Sequence, residues 1–175
     1  ARGPQKRLPA HFVRDQLLEL SGLKVDIIGG PPVFPYQPDD LWGEVSRKTY
    51  PESKDAGRYR RSLYTYFKRT VAPPLMQTFD AADRESCIVR QQTTNTPLQA
   101  LAMLNAPILL EAAWELAKAA WESTSRTPES QVQFLFENVL LRTPSEREYA
   151  LLSESFLGYQ SMTGKEQESI MIELG

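Results

Sequence analysis

The 175-residue chain is 41% hydrophobic and 24% charged and carries a formal net charge of −2. That balance fits one globular domain with a packed core and provides no basic field to draw in nucleic acid; no apolar run approaches the roughly 20 residues of a membrane-spanning helix. The single cysteine, Cys87, excludes an internal disulfide framework, and no C-x-x-C-H string is present to attach a c-type haem.

The opening, ARGPQKRLPAHF, is basic but leads into no apolar stretch, so it does not read as a signal peptide. With the close at IMIELG, it reads as one end of a piece cut from a longer protein. In LPAHFVRDQLLELSG, the residues Phe12, Val13, Leu17, Leu18 and Leu20 recur at helical spacing and predict a helix from about Pro9 to Leu20, stopped by Ser21 and Gly22. This helix makes residues 1–22 the first zone of a single domain spanning 1–175.

Residues 23–92 read as an irregular segment. IIGGPPVFPYQPDDLW concentrates glycines and prolines, which block regular structure while holding Phe34, Tyr36 and Trp42 on a stiffened loop. Downstream, Arg58, Arg60, Arg61, Lys68 and Arg69 surround Leu63, Tyr64, Tyr66 and Phe67. SLYTYFKR is rich in strand-favouring residues, and SCIVRQQ at Ser86 to Gln92 is its candidate partner in a small two-stranded element. A short helix over Ser62 to Lys68 fits the same residues.

Residues 93–175 read as helical. Thr96 is a natural N-cap, Pro97 fills the first helical position, and Gln99 completes a capping box. Pro107 disfavours helical geometry at Ala106 and opens the next helix, so two helices meet at a bend near Asn105. The device repeats at Thr127 and Pro128, and again at Thr143, Pro144 and Glu146. Helices joined by such short turns favour antiparallel packing. The expected fold is mainly α: a helical-bundle-like domain with a long Pro/Gly-rich irregular segment.

The ordered strings RLPAHFVRDQLL, GGPPVFPYQPDDLW, YRRSLYTYFKRT, FDAADRESCIVRQQTTNTPLQALAMLNAP and LLRTPSEREYALL resemble a known family over about Arg7 to Gln160. It is the C-terminal domain of unknown function found in large exported planctomycete proteins, the Planctomycete PSD-one type. One departure is that the family usually closes with a helix ending in an Asn-Glu-Phe motif, which this chain does not reach. The resemblance implies no reaction. It implies a parent protein exported to the periplasm or cell surface, with partners in upstream domains of the same polypeptide. Those domains often include a cytochrome-c-like one, so any haem would lie upstream, and no cofactor is expected in this chain. Cys87 matches a position where the family pattern also carries cysteine.

Several constellations carry candidate chemistry. Asp80, Asp83 and Glu85 offer the paired carboxylates of glycoside cleavage, which work roughly 5–10 Å apart. Interleaved with Arg84 and Arg90, however, the same acids suit hydrogen-bonded clamps for the corner before the helices, because a guanidinium forks onto a carboxylate. Asn95 and Thr96 belong to that corner, Asn95 as a backbone cap. His11 is the only histidine, too few for a triad or a typical zinc site, and a surface or boundary position on the first helix is expected. Cys87 reads as an inert core thiol.

Phe34, Tyr36 and Trp42, with Arg60 and Arg61, are the candidate ligand-binding residues. Flat aromatics suit sugar stacking, prolines lower the ordering cost, and the arginines suit sulfate or carboxylate groups of a polysaccharide. The alternative is that the aromatics cover the core and the arginines clamp the loop. No catalytic residue or metal set is assigned, and single-stranded nucleic acid is disfavoured. The sequence therefore favours a non-catalytic structural or interaction module. The competing reading is an accessory part of a carbohydrate-active or redox enzyme whose catalytic or haem groups lie upstream.

Overall fold

The structure, a computed structural model, describes residues 7–38, 41, 42, 49–68, 70–82, 89, 93–125, 127–156 and 158. It is mainly helical: α1 (Ala10–Leu20), α2 (Pro74–Thr78), α3 (Pro97–Asn105), α4 (Pro107–Ser123), α5 (Pro128–Leu140) and α6 over residues 146–156. Short 3-10 turns lie at Ala56–Tyr59 and Ser62–Tyr64. The chain divides into two compact units, Ala1–Glu115 and Leu116–Gly175.

In the first unit α1 packs against α2 and the Ser62–Tyr64 turn, and α2 packs against α3. Ala10, Met76 and Phe79 form the buried centre, with Phe67, Leu75, Ala81 and Ala102 around them. The helix expected from Pro9 to Leu20 forms as Ala10–Leu20. Gly22 ends it at φ +73°, a conformation that side chains disfavour. Its buried face differs from the apolar stripe, because Ala10, Arg14 and Leu18 are buried whereas Phe12 is exposed. The reason is polar: the Arg14 guanidinium donates to the carbonyls of Arg58 (2.7 Å) and Arg60 (2.8 Å). Burial pulls the Arg14 pKa below its ordinary value, against the opposing pull of Asp15. Asp15 in turn accepts from the backbone N–H (2.7 Å) and hydroxyl (2.6 Å) of Ser62.

Among the described residues the expected two-stranded element does not form, and its proposed half at Ser86 to Gln92 lies outside them apart from Val89. Ser62–Tyr64 coils into a 3-10 turn, and the stretch is paired elsewhere, by single parallel bridges between Val25 and Arg60 and between Val33 and Thr65. Val25 to Val33 is eight positions while Arg60 to Thr65 is five, so the two runs cannot keep register. The excess bulges out at Gly29 and Gly30, both at positive φ.

Arg60, only 4% exposed, fills the space under that bulge. Its guanidinium donates to the carbonyls of Pro31 (2.9 Å), Ile27 (2.8 Å) and Gly29, and it lies 3.9 Å from the centre of the Tyr64 ring. The Tyr64 hydroxyl accepts from the Gly29 N–H at 3.0 Å.

In the second unit Thr127 caps α5 by accepting from the Ser130 N–H at 3.3 Å, with Pro128 in the first turn. Leu141, at φ +54°, closes that helix. The third Thr-Pro start is displaced: α6 begins after Ser145 rather than Thr143. Ser145 donates its N–H (3.0 Å) and hydroxyl (2.8 Å) to Glu148, whose two oxygens are gripped by Arg142 at 2.8 and 2.6 Å. That fork holds Glu148 where a capping-box acid belongs and selects the later start. Arg142 above all, then Ser145, pushes the Glu148 pKa well below the usual carboxylate range.

Replacing the buried Arg60 by alanine removes charge-assisted bonds from three carbonyls of the bulge and is expected to cost about 3 kcal/mol, a fall in Tm on the order of 10 °C. Lysine, a point donor, restores only part of it. Arg61→Ala, at an exposed position, shifts Tm by roughly a degree or less. Thermal unfolding followed by circular dichroism checks all three; equal effects for Arg60 and Arg61 would contradict this account of the loop.

Candidate functional site

The corner before α3 is organised by Asp80. The end of α2 closes in a Schellman pattern: the Ala81 N–H bonds to the Met76 carbonyl (2.9 Å) and the Asp80 N–H to the Gln77 carbonyl (3.0 Å). Asp80 thus stands at φ +58° in the left-handed position usually given to glycine. From there its carboxylate accepts from the Thr94 N–H (2.7 Å), the Thr94 hydroxyl (2.9 Å) and the Arg7 guanidinium. The Thr94 N–H above all, then Arg7, pulls its pKa from the ordinary 3.8 down to about 2. Arg7 also bonds to the Thr94 carbonyl and lies over the Phe79 ring at 5.9 Å.

The capping box at Thr96 forms as the sequence predicts, with the Gln99 side-chain oxygen accepting from the Thr96 N–H at 3.2 Å. The buried Gln99 amide also donates to the Thr78 carbonyl (2.9 Å) and the Thr94 hydroxyl (3.2 Å), so the box is locked to α2. Asn95 is exposed and does not share in the capping, which Thr96 and Gln99 carry out. Asp83, Arg84, Glu85, Cys87 and Arg90 lie outside the described residues.

The aromatic loop residues separate. Phe34 stacks on Tyr66 at 4.7 Å and meets the edge of Tyr50 at 5.7 Å. Trp42 packs on Tyr50 at 5.1 Å, with the Lys68 ammonium 4.2 Å from its ring centre. Burial, aided by the charge of Glu52, pushes the Tyr50 hydroxyl pKa well above its ordinary value, and that hydroxyl donates to the Pro35 carbonyl. Tyr36 stands apart from this cluster and is 51% exposed. Arg60 points inward to its carbonyls, whereas Arg61 is exposed and paired with Asp26 at 3.1 Å. The five candidate ligand-binding residues therefore do not converge on one surface.

A different set does converge. An apolar groove of about 400 Å³ runs beside the proline loop. Pro35, Tyr36 and Pro38 form one lip, Leu75 and Met76 of α2 line it, and Leu98, Leu101 and Ile108 of α3 and α4 form the other wall. The helices splay by 54° at the Ala106–Pro107 break, and Ala106 serves both of them: its N–H bonds to the Ala102 carbonyl (2.9 Å) while its own carbonyl accepts from Leu109 (2.9 Å). Leu98 and Leu101 stay 59% and 57% exposed although they line a concave surface. Glu52, Arg58 and Glu111 supply a polar rim, where Arg58 pairs with Glu111 at 2.8 Å.

A family model described as PSD1, a protein of unknown function (DUF1553), matches residues 1–156. The chain belongs to the PSD1 family. No curated protein and no solved structure matches it. The matched span of this PSD1 domain contains both the Asp80 corner and the groove. Among its described residues no group of three or more His, Cys, Asp or Glu gathers to hold a metal ion. His11 is at the surface of α1, as expected. No single described helix is long and apolar enough to cross a membrane.

Sequence reasoning missed Arg7, Arg14 and Glu111. Arg14 had a readable signal, four residues after Ala10 and four before Leu18 on one helix face. Glu111 had none, because its partner Arg58 comes from 53 residues away.

Asp80→Asn keeps the left-handed backbone accessible but removes the charge. At neutral pH we expect a loss of about 2 kcal/mol, on the order of 5 °C in Tm. Because folding depresses the Asp80 pKa, its contribution is complete above pH 3.8 and is lost as pH falls through about 2, so wild type and variant converge there. Asp80→Gly, which relieves the backbone, distinguishes the causes: a gain in Tm at neutral pH would mean that the carboxylate contributes little.

Proposed function

We propose that this PSD1 domain is a non-catalytic interaction module of a larger exported protein, and that its groove receives part of a neighbouring domain. The observation that carries this reading is the apolar wall left open at Leu98 and Leu101. Burying two leucines that folding has left half in water stabilises an association by about 1–2 kcal/mol each. Asp80, of the candidate catalytic acids the one within the described residues, supports the same reading. It is held by Arg7 and Thr94 in a structural role. A sharply depressed pKa at Asp80 suits a permanent hydrogen-bond acceptor and is wrong for an acid that must deliver a proton near neutrality.

Contact with polysaccharide, as a further part of the proposal, falls to Tyr36. Its ring is half exposed at the groove lip, whereas Phe34 and Trp42 have ring faces committed to other side chains. The prolines at positions 35 and 38 on either side of it restrict its backbone before any ligand arrives.

Hydrogen exchange tests the docking reading. In the parent polypeptide the amides of α3 should exchange at least about tenfold more slowly than in the 175-residue chain alone; unchanged rates would leave the groove uncovered and remove its support. For the glycan contact, thermal unfolding against neutral and sulfated polysaccharides should show a rise in Tm that Tyr36→Ala abolishes. A rise that survives this substitution would place the contact elsewhere.

A further inference from the structure

The charges beside Tyr36 decide which sugars it can hold. Among the described residues two cations line the groove, and both are committed. Arg14 is 3% exposed and donates to the carbonyls of Arg58 and Arg60. Arg58 pairs with Glu111 at 2.8 Å, lies over the Tyr59 ring at 4.7 Å and feels the charge of Glu52. Glu52 and Glu111 balance the two arginines, so the lining carries no net charge. Lys54, beside Asp55, is not part of it. The arginines that the sequence offered to anionic sugars are engaged elsewhere, Arg60 under the bulge and Arg61 with Asp26. A sulfate or uronate entering here would have to compete with Glu111 for its guanidinium and would face Glu52 as well.

Tyr36 and Glu52 keep their capacity for a ligand. Among the described residues the Tyr36 side chain makes no hydrogen bond or ring contact, and the Glu52 carboxylate accepts no hydrogen bond. The backbone holds them at one lip. The Ser53 N–H donates to the Phe34 carbonyl (2.9 Å), the Phe34 N–H to the Ser53 hydroxyl (3.1 Å) and the Tyr50 hydroxyl to the Pro35 carbonyl. We propose that Tyr36 and Glu52 form a subsite for a neutral hexose chain, the C–H face of one sugar ring lying on Tyr36 and its edge hydroxyls donating to Glu52. The proposal rests on the glycan contact at Tyr36 put forward above, and it leaves Leu98 and Leu101 to the docking segment. A pyranose with equatorial hydroxyls has C–H groups on both faces and polar groups around its edge. That shape matches a half-exposed aromatic ring with a carboxylate acceptor on the same groove. A hydroxyl given to an ionised carboxylate makes a charge-assisted bond, whereas an anionic sugar sets like charges together, so Glu52 both binds and selects.

The test titrates two oligosaccharides into the 175-residue chain by isothermal calorimetry at low and high salt. One is cellohexaose, whose glucose rings carry equatorial hydroxyls; the other is the same hexasaccharide sulfated at its primary hydroxyls. Cellohexaose should bind at least about tenfold tighter than the sulfated chain, and its affinity should hardly change with salt. Tyr36→Ala should weaken it roughly tenfold, and Tyr36→Phe should retain it because the ring face makes the contact. Glu52→Gln should weaken it about fivefold, and Glu52→Lys should bring the sulfated chain up to the affinity of the neutral one.

Equal or tighter binding of the sulfated chain, fading with salt, would overturn the selection of neutral sugars while sparing the glycan contact. Cellohexaose binding indifferent to Glu52→Gln would remove the carboxylate from the subsite and refute the proposal as stated. Binding indifferent to Tyr36→Ala would overturn both the subsite and the contact on which it rests. If neither hexasaccharide binds, the proposal falls, and the glycan contact falls with it only when the thermal-unfolding comparison also shows no rise that depends on Tyr36. Circular dichroism of each variant confirms that the fold is retained, and Tyr36→Phe and Glu52→Gln, the mildest of them, keep the test decisive if another variant unfolds.

Discussion

Backbone carbonyls need donors, and along the irregular part of the first unit guanidinium groups supply several of them beside the few backbone bridges. Arg14 serves the carbonyls of Arg58 and Arg60, Arg60 serves those of Ile27, Gly29 and Pro31, and Arg7 reaches those of Thr94 and Phe79. A carbonyl left dry and unpaired costs about as much as a lost hydrogen bond. These forks, each supplying several donors from one stem, reach across a long segment that has little regular structure and help to hold it closed. The price in desolvation is visible at Arg14, whose pKa is pulled down by burial.

The groove is a product of that construction. Arg60 fixes the bulge at Gly29 and Gly30 and so sets the course of the chain onward to Pro35 and Tyr36. On the other side, Asp80, Thr94 and Gln99 fix where α3 starts relative to α2. Both lips are thus held by polar bonds, while the apolar walls between them are left without a cover. A domain stabilised in this way can keep large leucines in water, since its closure does not depend on burying them.

The legible parts were those governed by neighbours in sequence. Thr96, Pro97 and Gln99 specify a helix start through residues three apart, and Gly22 specifies a stop through its own backbone freedom. The corner around Asp80 was recognisable as a clamp, but its partners Arg7 and Thr94 were not, since the first lies 73 residues away. Hydrophobicity alone favoured Phe12 for the buried face of α1, whereas the carbonyls of Arg58 and Arg60 recruit Arg14 instead. The strand expected at SLYTYFKR failed for a related reason: its bridges fall on a loop with a different number of residues, a mismatch that propensity does not contain. Phe34 and Trp42 looked like stacking platforms because the string shows aromatic rings without the Tyr50, Tyr66 and Lys68 that occupy their faces.

The break at Ala106 and Pro107 has a consequence for how the chain meets lipid. Unbroken, residues 97–123 would make one helix of about 40 Å, longer than the roughly 30 Å hydrocarbon layer of a bilayer. Together α3 and α4 have the length and composition of such a span, yet they form pieces of 9 and 17 residues set at 54°. Neither piece reaches the roughly 20 residues that crossing requires. One proline therefore divides this apolar stretch into two pieces that point in different directions, neither of which has the length of a span by itself.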